Sequence, residues 1–89
     1  MIDQNDNSRL FVGGLKYTVS KTDLFEFFAE AGEVKDVYIA LDRERGENRN
    51  RGFAYVQMTC PEDAQEAISL FDGKPGPGGR KIGVKLANT

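Results

Sequence analysis

The fold of this sequence is decided by the octamer Arg51-Gly52-Phe53-Ala54-Tyr55-Val56-Gln57-Met58. It is rich in aromatic and β-branched residues, which favours a β-strand over residues 52–58. Side chains alternate across a strand, so one face carries Phe53, Tyr55 and Gln57. The other face carries a wholly apolar set: Ala54, Val56 and Met58. This second face is the one expected to join a hydrophobic core.

A second alternating segment, Arg9-Leu10-Phe11-Val12-Gly13, lies about 40 residues earlier and ends at a glycine pair typical of a turn. The same alternation places Leu10 and Val12 in the core and Phe11 on the opposite face. A shift of the alternation by one residue would bury the rings and expose the aliphatic side chains, which is a less favourable division of residues between core and surface. We therefore expect Phe11, Phe53 and Tyr55 on one shared face.

Two helices are indicated between the strands. Ser20 and Asp23 have the spacing of a capping box, and apolar residues then recur at helical spacing up to a stop at Gly32. Pro61 suits the first position of a second helix, which continues to Phe71. Their predicted buried stripes are Leu24, Phe27, Phe28 and Ala31, and then Ala64, Ala67, Ile68 and Phe71.

Two further strands complete the pattern. Apolar residues mark a strand over residues 34–41, with an irregularity near Lys35-Asp36, and a last strand over residues 82–86. The charged segment 42–50 and the glycine-rich segment 73–79 are predicted to be loops. The order is therefore strand, helix, strand, strand, helix, strand.

This βαββαβ order predicts an α+β fold, a ferredoxin-like sandwich whose two helices cover one face of a four-stranded antiparallel sheet. The other face is left open, and the three rings stand on it. Contiguous exposed apolar surface usually marks a binding site. Flat rings suit unstacked nucleic-acid bases, because every base has a π-face.

Composition limits the other possibilities. The 89 residues fit one domain, and the chain has no histidine and only Cys60 as a thiol. The usual ligands of zinc and the commonest general base are therefore missing, so we expect no metal, no cofactor and no catalysis. The single cysteine fits a reducing cytoplasm. No apolar run is long enough to span a membrane.

The charge total and the charge distribution point in different directions. A net charge of −2 and a pI near 5.1 are unusual for a nucleic-acid-binding protein. However, the helical segments 20–31 and 61–71 carry six acidic residues and one lysine, whereas the segments 9–16, 49–58 and 80–85 carry seven basic residues and no acid. The sequence therefore predicts an acidic helical side and a basic sheet side, and the local field steers a polyanion.

The octamer resembles the signature [K/R]-G-[F/Y]-[G/A]-F-V-x-[F/Y] of the RNA recognition motif family. The companion hexamer of that family is matched by Leu10-Phe11-Val12-Gly13-Gly14-Leu15. The resemblance runs from about Arg9 to Ala87, with residues 1–8 expected to be a flexible lead and 88–89 a tail. Two positions depart from the signature. Tyr55 keeps a ring, and Met58 replaces the final aromatic residue but is expected to face the core. Methionine at this position is similar to the small single-domain bacterial members of the family.

The resemblance implies a non-catalytic domain that binds single-stranded RNA. Phe11 and Tyr55 would stack on two adjacent bases, Phe53 would contact the riboses, and Arg51 would pair with a phosphate. Tyr38, Gln57 and Lys85 share the open face by alternation and could be functional or merely exposed. The full set of candidate RNA-binding residues is Phe11, Phe53, Tyr55, Arg51, Arg9, Gln57, Lys85, Tyr38, Lys81 and Arg49.

Two alternatives differ in class. The acidic helices could instead bind a protein partner, although such a module would not need three exposed rings. A small acylphosphatase-like enzyme shares the element order, but its chemistry needs an arginine in the first loop, and residues 13–18 contain none. Single-stranded DNA remains open as a ligand, because stacking does not sense the 2′-hydroxyl. We expect a monomer.

Overall fold

Six elements follow one another in the computed structural model, which describes residues 7–41 and 50–87. They are β1 (Arg9–Gly13), α1 (Lys21–Phe28), β2 (Val34–Leu41), β3 (Asn50–Met58), α2 (Pro61–Phe71) and β4 (Gly83–Leu86). The strands form one antiparallel sheet in the order β2-β3-β1-β4. The predicted ferredoxin-like α+β fold is confirmed, and its two central strands carry the octamer and the hexamer.

The predicted alternation of the central strands is also confirmed. Leu10 pairs with Val56 and Val12 pairs with Ala54 in the register of β1 and β3. These four side chains and that of Met58 are 0% exposed. They share the core with Leu24 and Phe28 of α1 and with Ala64, Ala67 and Phe71 of α2. Both helices therefore cover the same face of the sheet.

Helix α1 begins as predicted and ends earlier. The Ser20 hydroxyl accepts from the Asp23 N–H at 3.2 Å, and the Asp23 carboxylate accepts from the Ser20 N–H at 3.0 Å. The helix ends at Phe28, four residues before the predicted stop at Gly32, because the Ala31 N–H donates to the Phe28 carbonyl in a tighter turn. Pro61 begins α2 as predicted.

The pairing between β2 and β3 is irregular at two points. Val34 pairs with Met58 and Asp36 with Gln57, so β2 contains one extra residue where the sequence predicted it. Strand β3 begins two residues earlier than predicted and is irregular between Asn50 and Ala54. Gly52 lies there with a φ of 99°, in the left-handed region that favours glycine. The octamer therefore needs glycine at this position for a backbone reason.

Asn50 was predicted to lie in a solvated loop, and the structure buries it to 1% exposure. Its amide nitrogen donates to the carbonyls of Lys16 at 2.9 Å and Val19 at 3.0 Å. Its amide oxygen accepts from the Gly52 N–H at 2.7 Å. These bonds tie the start of β3 to the β1–α1 connection. The surrounding charged residues favour a loop. Hydrophobic periodicity cannot reveal a buried amide that bonds to distant backbone, so the sequence gives no sign of this role of Asn50.

The last strand starts at Gly83, one residue after the predicted start. The Asp72 carboxylate at the end of α2 accepts from the Val84 N–H at 2.9 Å, which holds β4 against the helix. Lys81 precedes the strand and forms an isolated bridge with Pro75. At the other end, Ser8 is buried and its carbonyl accepts from the Met58 N–H. Ordered pairing thus reaches one residue before β1.

Replacing Asn50 should destabilise the fold by about 2–4 kcal/mol, because two carbonyls and one N–H lose a buried partner. Asn50→Ala and Asn50→Leu should both show this loss in urea denaturation followed by circular dichroism. Leucine refills the space without restoring the hydrogen bonds. Full recovery of the free energy of unfolding in Asn50→Leu would show that volume, rather than hydrogen bonding, makes Asn50 important.

Candidate nucleic-acid interface

Three rings on the open face of the sheet form one contiguous aromatic platform, made of Phe11, Phe53 and Tyr55. The ring centroids of Phe11 and Phe53 are 5.7 Å apart with an interplanar angle of 25°. Tyr55 meets Phe11 edge-on at 5.6 Å and Phe53 edge-on at 6.3 Å. All three residues are half-buried, with one side supported by the sheet. The sequence predicted this grouping, and the structure brings the rings together.

Gly13 explains why Phe11 and Phe53 can stack. Tyr55 is the direct cross-strand partner of Phe11, and the partner of Phe53 is Gly13. A Cβ atom at position 13 would lie 3.1 Å from the Phe11 ring, closer than most such contacts. Because position 13 has no side chain, the Phe11 ring can lean over it toward Phe53. The glycine of the hexamer thus has a role in shaping the platform.

A continuous row of side chains crosses all four strands through the platform. Lys85 of β4 pairs with Phe11, Phe11 with Tyr55, and Tyr55 with Tyr38 of β2. The Lys85 ammonium lies 5.5 Å from the Phe11 ring centroid, within cation–π range. The Tyr38 side chain is 69% exposed. The row therefore ends in a cation on one edge strand and an exposed ring on the other.

A parallel polar row lies beside it and consists of Arg9, Gln57 and Asp36. Gln57 pairs with Arg9 on one side and with Asp36 on the other. The three side chains line an open groove of about 720 Å³ together with Lys35, Tyr38 and Tyr55. Asp36 was not among the predicted site residues. Alternation from the buried Val37 would have placed it on the open face.

The remaining candidates lie at the margin of this face or outside the described residues. Arg51 is exposed beside the irregularity at Gly52. Lys81 is exposed and lies before β4 rather than within it. Arg49 falls outside the residues that the structure describes. The candidates that the structure brings together on the open face are Phe11, Phe53, Tyr55, Arg9, Gln57, Lys85 and Tyr38.

The two sides of the molecule differ in charge among the described residues, although neither side carries charge of one sign only. Exposed carboxylates on the helices include Glu26, Glu62 and Glu66, and Glu30 is exposed just after α1. The open face carries Arg9 and Lys85, and it also carries the acidic Asp36 within the groove. Within the part of the chain that the structure describes, the predicted basic side is therefore interrupted by a carboxylate near the β2 edge. Among residues 7–41 and 50–87, no three His, Cys, Asp or Glu side chains form a group able to hold a metal ion.

Comparison with known proteins agrees with this geometry. The sequence model of the RNA recognition motif matches residues 10–82, most of the chain. The chain belongs to the RNA recognition motif family. A solved structure, the SXL-lethal protein/RNA complex, superposes with a TM-score of 0.83 at 31% identity, covering 93% of this chain and 49% of that one. The predicted resemblance is confirmed.

Curated relatives of this RNA recognition motif chain include a short bacterial protein and longer plant proteins. The putative RNA-binding protein RbpD of Nostoc is 50% identical over 80 residues, which cover 88% of this chain and 80% of that protein. The 33 kDa chloroplastic ribonucleoprotein of Nicotiana sylvestris is 47% identical over 81 residues, covering 91% of this chain. This chain spans about a quarter of that relative's length. None of the described helices is long and apolar enough to cross a membrane.

The assignment of faces can be tested on two neighbouring residues of β2. Val37 is 3% exposed and Tyr38 is 69% exposed. Val37→Ala should lower the free energy of unfolding by about 1.5–3 kcal/mol, whereas Tyr38→Ala should cost less than about 1 kcal/mol. Urea denaturation of the two variants measures both values. A larger loss for Tyr38→Ala than for Val37→Ala would contradict the orientation of this strand.

Proposed function

We propose that this protein binds single-stranded RNA on the open face of its sheet and does not act as a catalyst. The observation that carries the proposal is the aromatic platform, in which three rings on the two central strands lie within 6.3 Å of one another. An aromatic side chain that contributed only to stability would bury more apolar surface if it faced the helices. Rings on an uncovered face serve as stacking surfaces for unpaired bases.

Each part of the platform has a proposed role. Phe11 and Tyr55 stack on two adjacent bases, while Phe53 contacts the riboses between them. Arg51, at the margin of the face, pairs with a phosphate. Two stacks contribute about 2–6 kcal/mol, against about 8 kcal/mol for a micromolar complex, so charge and hydrogen bonding must supply the rest.

Basic side chains around the platform supply the electrostatic part. Arg9 lies in the polar row, Lys85 lies over Phe11, and Lys35 lines the groove. Because part of the affinity comes from cations placed near phosphates, we expect weak binding that falls as the salt concentration rises. Stacking tolerates any base, so pyrimidines are accepted at the stacked positions. Single-stranded DNA is expected to compete where only stacking is involved.

The relatives support the same ligand class. RbpD of Nostoc is described as a putative RNA-binding protein, and this chain covers 80% of its length. The SXL-lethal structure is a complex with RNA. We further propose that the protein works as a monomer in the bacterial cytoplasm, in post-transcriptional handling of RNA. Cys60, the only cysteine of the chain, fits that reducing compartment.

The double variant Phe53→Ala/Tyr55→Ala should lose RNA binding while it remains folded. Loss of the platform's ribose contact and of one base stack should weaken binding of a fluorescent single-stranded RNA at least about tenfold. Fluorescence anisotropy measures the affinity, and circular dichroism verifies the fold.

Leu70→Ala is the matched control, because this exposed apolar residue lies on α2, away from the open face. It should bind RNA like the wild type. Retained affinity in a folded double variant would refute the stacking role of the platform. Loss of RNA affinity in a folded Leu70→Ala variant would instead place the RNA site on the helical side. Absence of RNA binding by the wild type would favour the protein-partner alternative.

Salt dependence tests the proposed cationic contacts. Lys85→Gln and Arg51→Gln should each reduce the slope of log affinity against log salt concentration by about 0.7, the value for one phosphate contact on a single strand. Titrations at several salt concentrations give the slope. An unchanged slope for either variant would mean that the replaced cation contacts no phosphate.

A further inference from the structure

The polar row contains a carboxylate that neither stacking nor phosphate binding explains. Asp36 lies on the open face and lines the same groove as Arg9, Gln57 and Tyr38. A negative charge in a surface that binds a polyanion weakens the attraction for every RNA. A directional contact between this carboxylate and the ligand would offset that loss.

The β2 end of the polar row presents hydrogen-bond acceptors. The Gln57 amide nitrogen donates one of its two N–H groups to the Met58 carbonyl at 3.1 Å, and its amide oxygen keeps its capacity to accept from a ligand. The Asp36 carboxylate accepts from the Val37 N–H at 2.8 Å and retains further acceptor capacity, because a carboxylate has about four lone-pair sites. Asp36 and Gln57 are direct cross-strand partners. The two acceptors therefore lie on neighbouring strands, whose backbones are about 4.8 Å apart.

One cation already lies near Asp36. The Lys21 ammonium is 3.7 Å from the carboxylate, with the two side chains 60% and 70% exposed. Exposed ion pairs of this kind contribute little to stability. A ligand that offers hydrogen-bond donors can therefore displace Lys21 at small cost.

We propose that Asp36 and Gln57 form a subsite that selects guanine in the bound RNA. Guanine is the one standard base whose Watson–Crick edge presents two adjacent donors, the N1–H and the N2 amino group. A carboxylate can accept from both. Adenine and cytosine place a ring acceptor beside their amino group, and uracil places its N3–H between two carbonyls. The acceptor-rich end of the row thus fits the Watson–Crick edge of guanine. It repels the acceptor atoms on the Watson–Crick edges of the other three bases.

The neighbouring groups fit the rest of the same base. Tyr38 lies two residues from Asp36 on the same face, and its exposed ring can support the π-face of guanine. Arg9 and Lys35 line the groove and supply donors for the guanine O6 acceptor. This subsite rests on the proposed RNA binding and adds one selective position beside sequence-tolerant stacking.

Four short RNAs test the selectivity. They are an all-uridine heptamer and the same heptamer with one central guanine, inosine or adenine. The guanine heptamer should bind about tenfold more tightly than the all-uridine one. Inosine, which lacks the N2 amino group, should lose most of that gain. Adenine stacks as a purine but lacks the paired donors, so an equal gain with adenine would overturn the proposal.

Asp36→Asn is the decisive variant, because it keeps the size of the side chain and an oxygen for the Val37 N–H but removes one acceptor and the charge. The guanine advantage should disappear, while affinity for the all-uridine heptamer stays the same or rises slightly. Glu26→Gln makes the same charge change on the exposed surface of α1 and should keep the advantage. Persistence of the advantage in Asp36→Asn would refute the subsite.

The amide signal of Val37 gives a direct readout, because its N–H donates to the Asp36 carboxylate. In nuclear magnetic resonance titrations, this signal should move more with the guanine heptamer than with the all-uridine one. Platform-dependent binding of all four RNAs with equal affinity would overturn guanine selection and leave the proposed function intact. Absence of binding to any of them would overturn the proposed function itself.

Discussion

Both helices lie on one side of a four-stranded sheet, and this arrangement gives the two faces of every strand different surroundings. Alternation along β1 and β3 then divides each strand into core residues and surface residues. The apolar set that includes Leu10 and Val56 is fully buried, and the rings between these residues remain open. The platform exists because one half of each central strand is buried against the helices, while none of the described helices or strands covers the other half.

Local backbone interactions at the start of β3 hold this arrangement in register. Gly52 adopts a positive φ, and its N–H and carbonyl bond to Asn50 and Leu15 respectively. Asn50 in turn bonds to the β1–α1 connection. A register shift of one residue would move the rings into the core. These bonds oppose such a shift, so polar contacts at one end of β3 help to fix the position of apolar groups along it.

Much of the fold could be predicted because its signals are local. The capping box at Ser20, the proline at the start of α2 and the alternation of the octamer each depend on residues close together in the chain. The parts that the sequence did not reveal have two causes. Asn50 bonds to residues more than 30 positions away, which no local pattern indicates. The early end of α1 depends on a tight turn after Phe28, which the spacing of apolar residues does not show. Asp36 was missed because charge was summed over other segments, although its face follows from alternation.

The interleaving of core and surface residues in one octamer has an evolutionary consequence. Substitutions at Ala54, Val56 or Met58 change the packing against the helices, whereas substitutions at Phe53, Tyr55 or Gln57 change the chemistry offered to solvent. Selection can therefore act on every second position almost independently of its neighbours. Lineages that share this scaffold can diverge in what they recognise while the residues between, and hence the shape of the domain, stay constant. Positions that determine recognition and positions that determine the fold therefore alternate along the octamer.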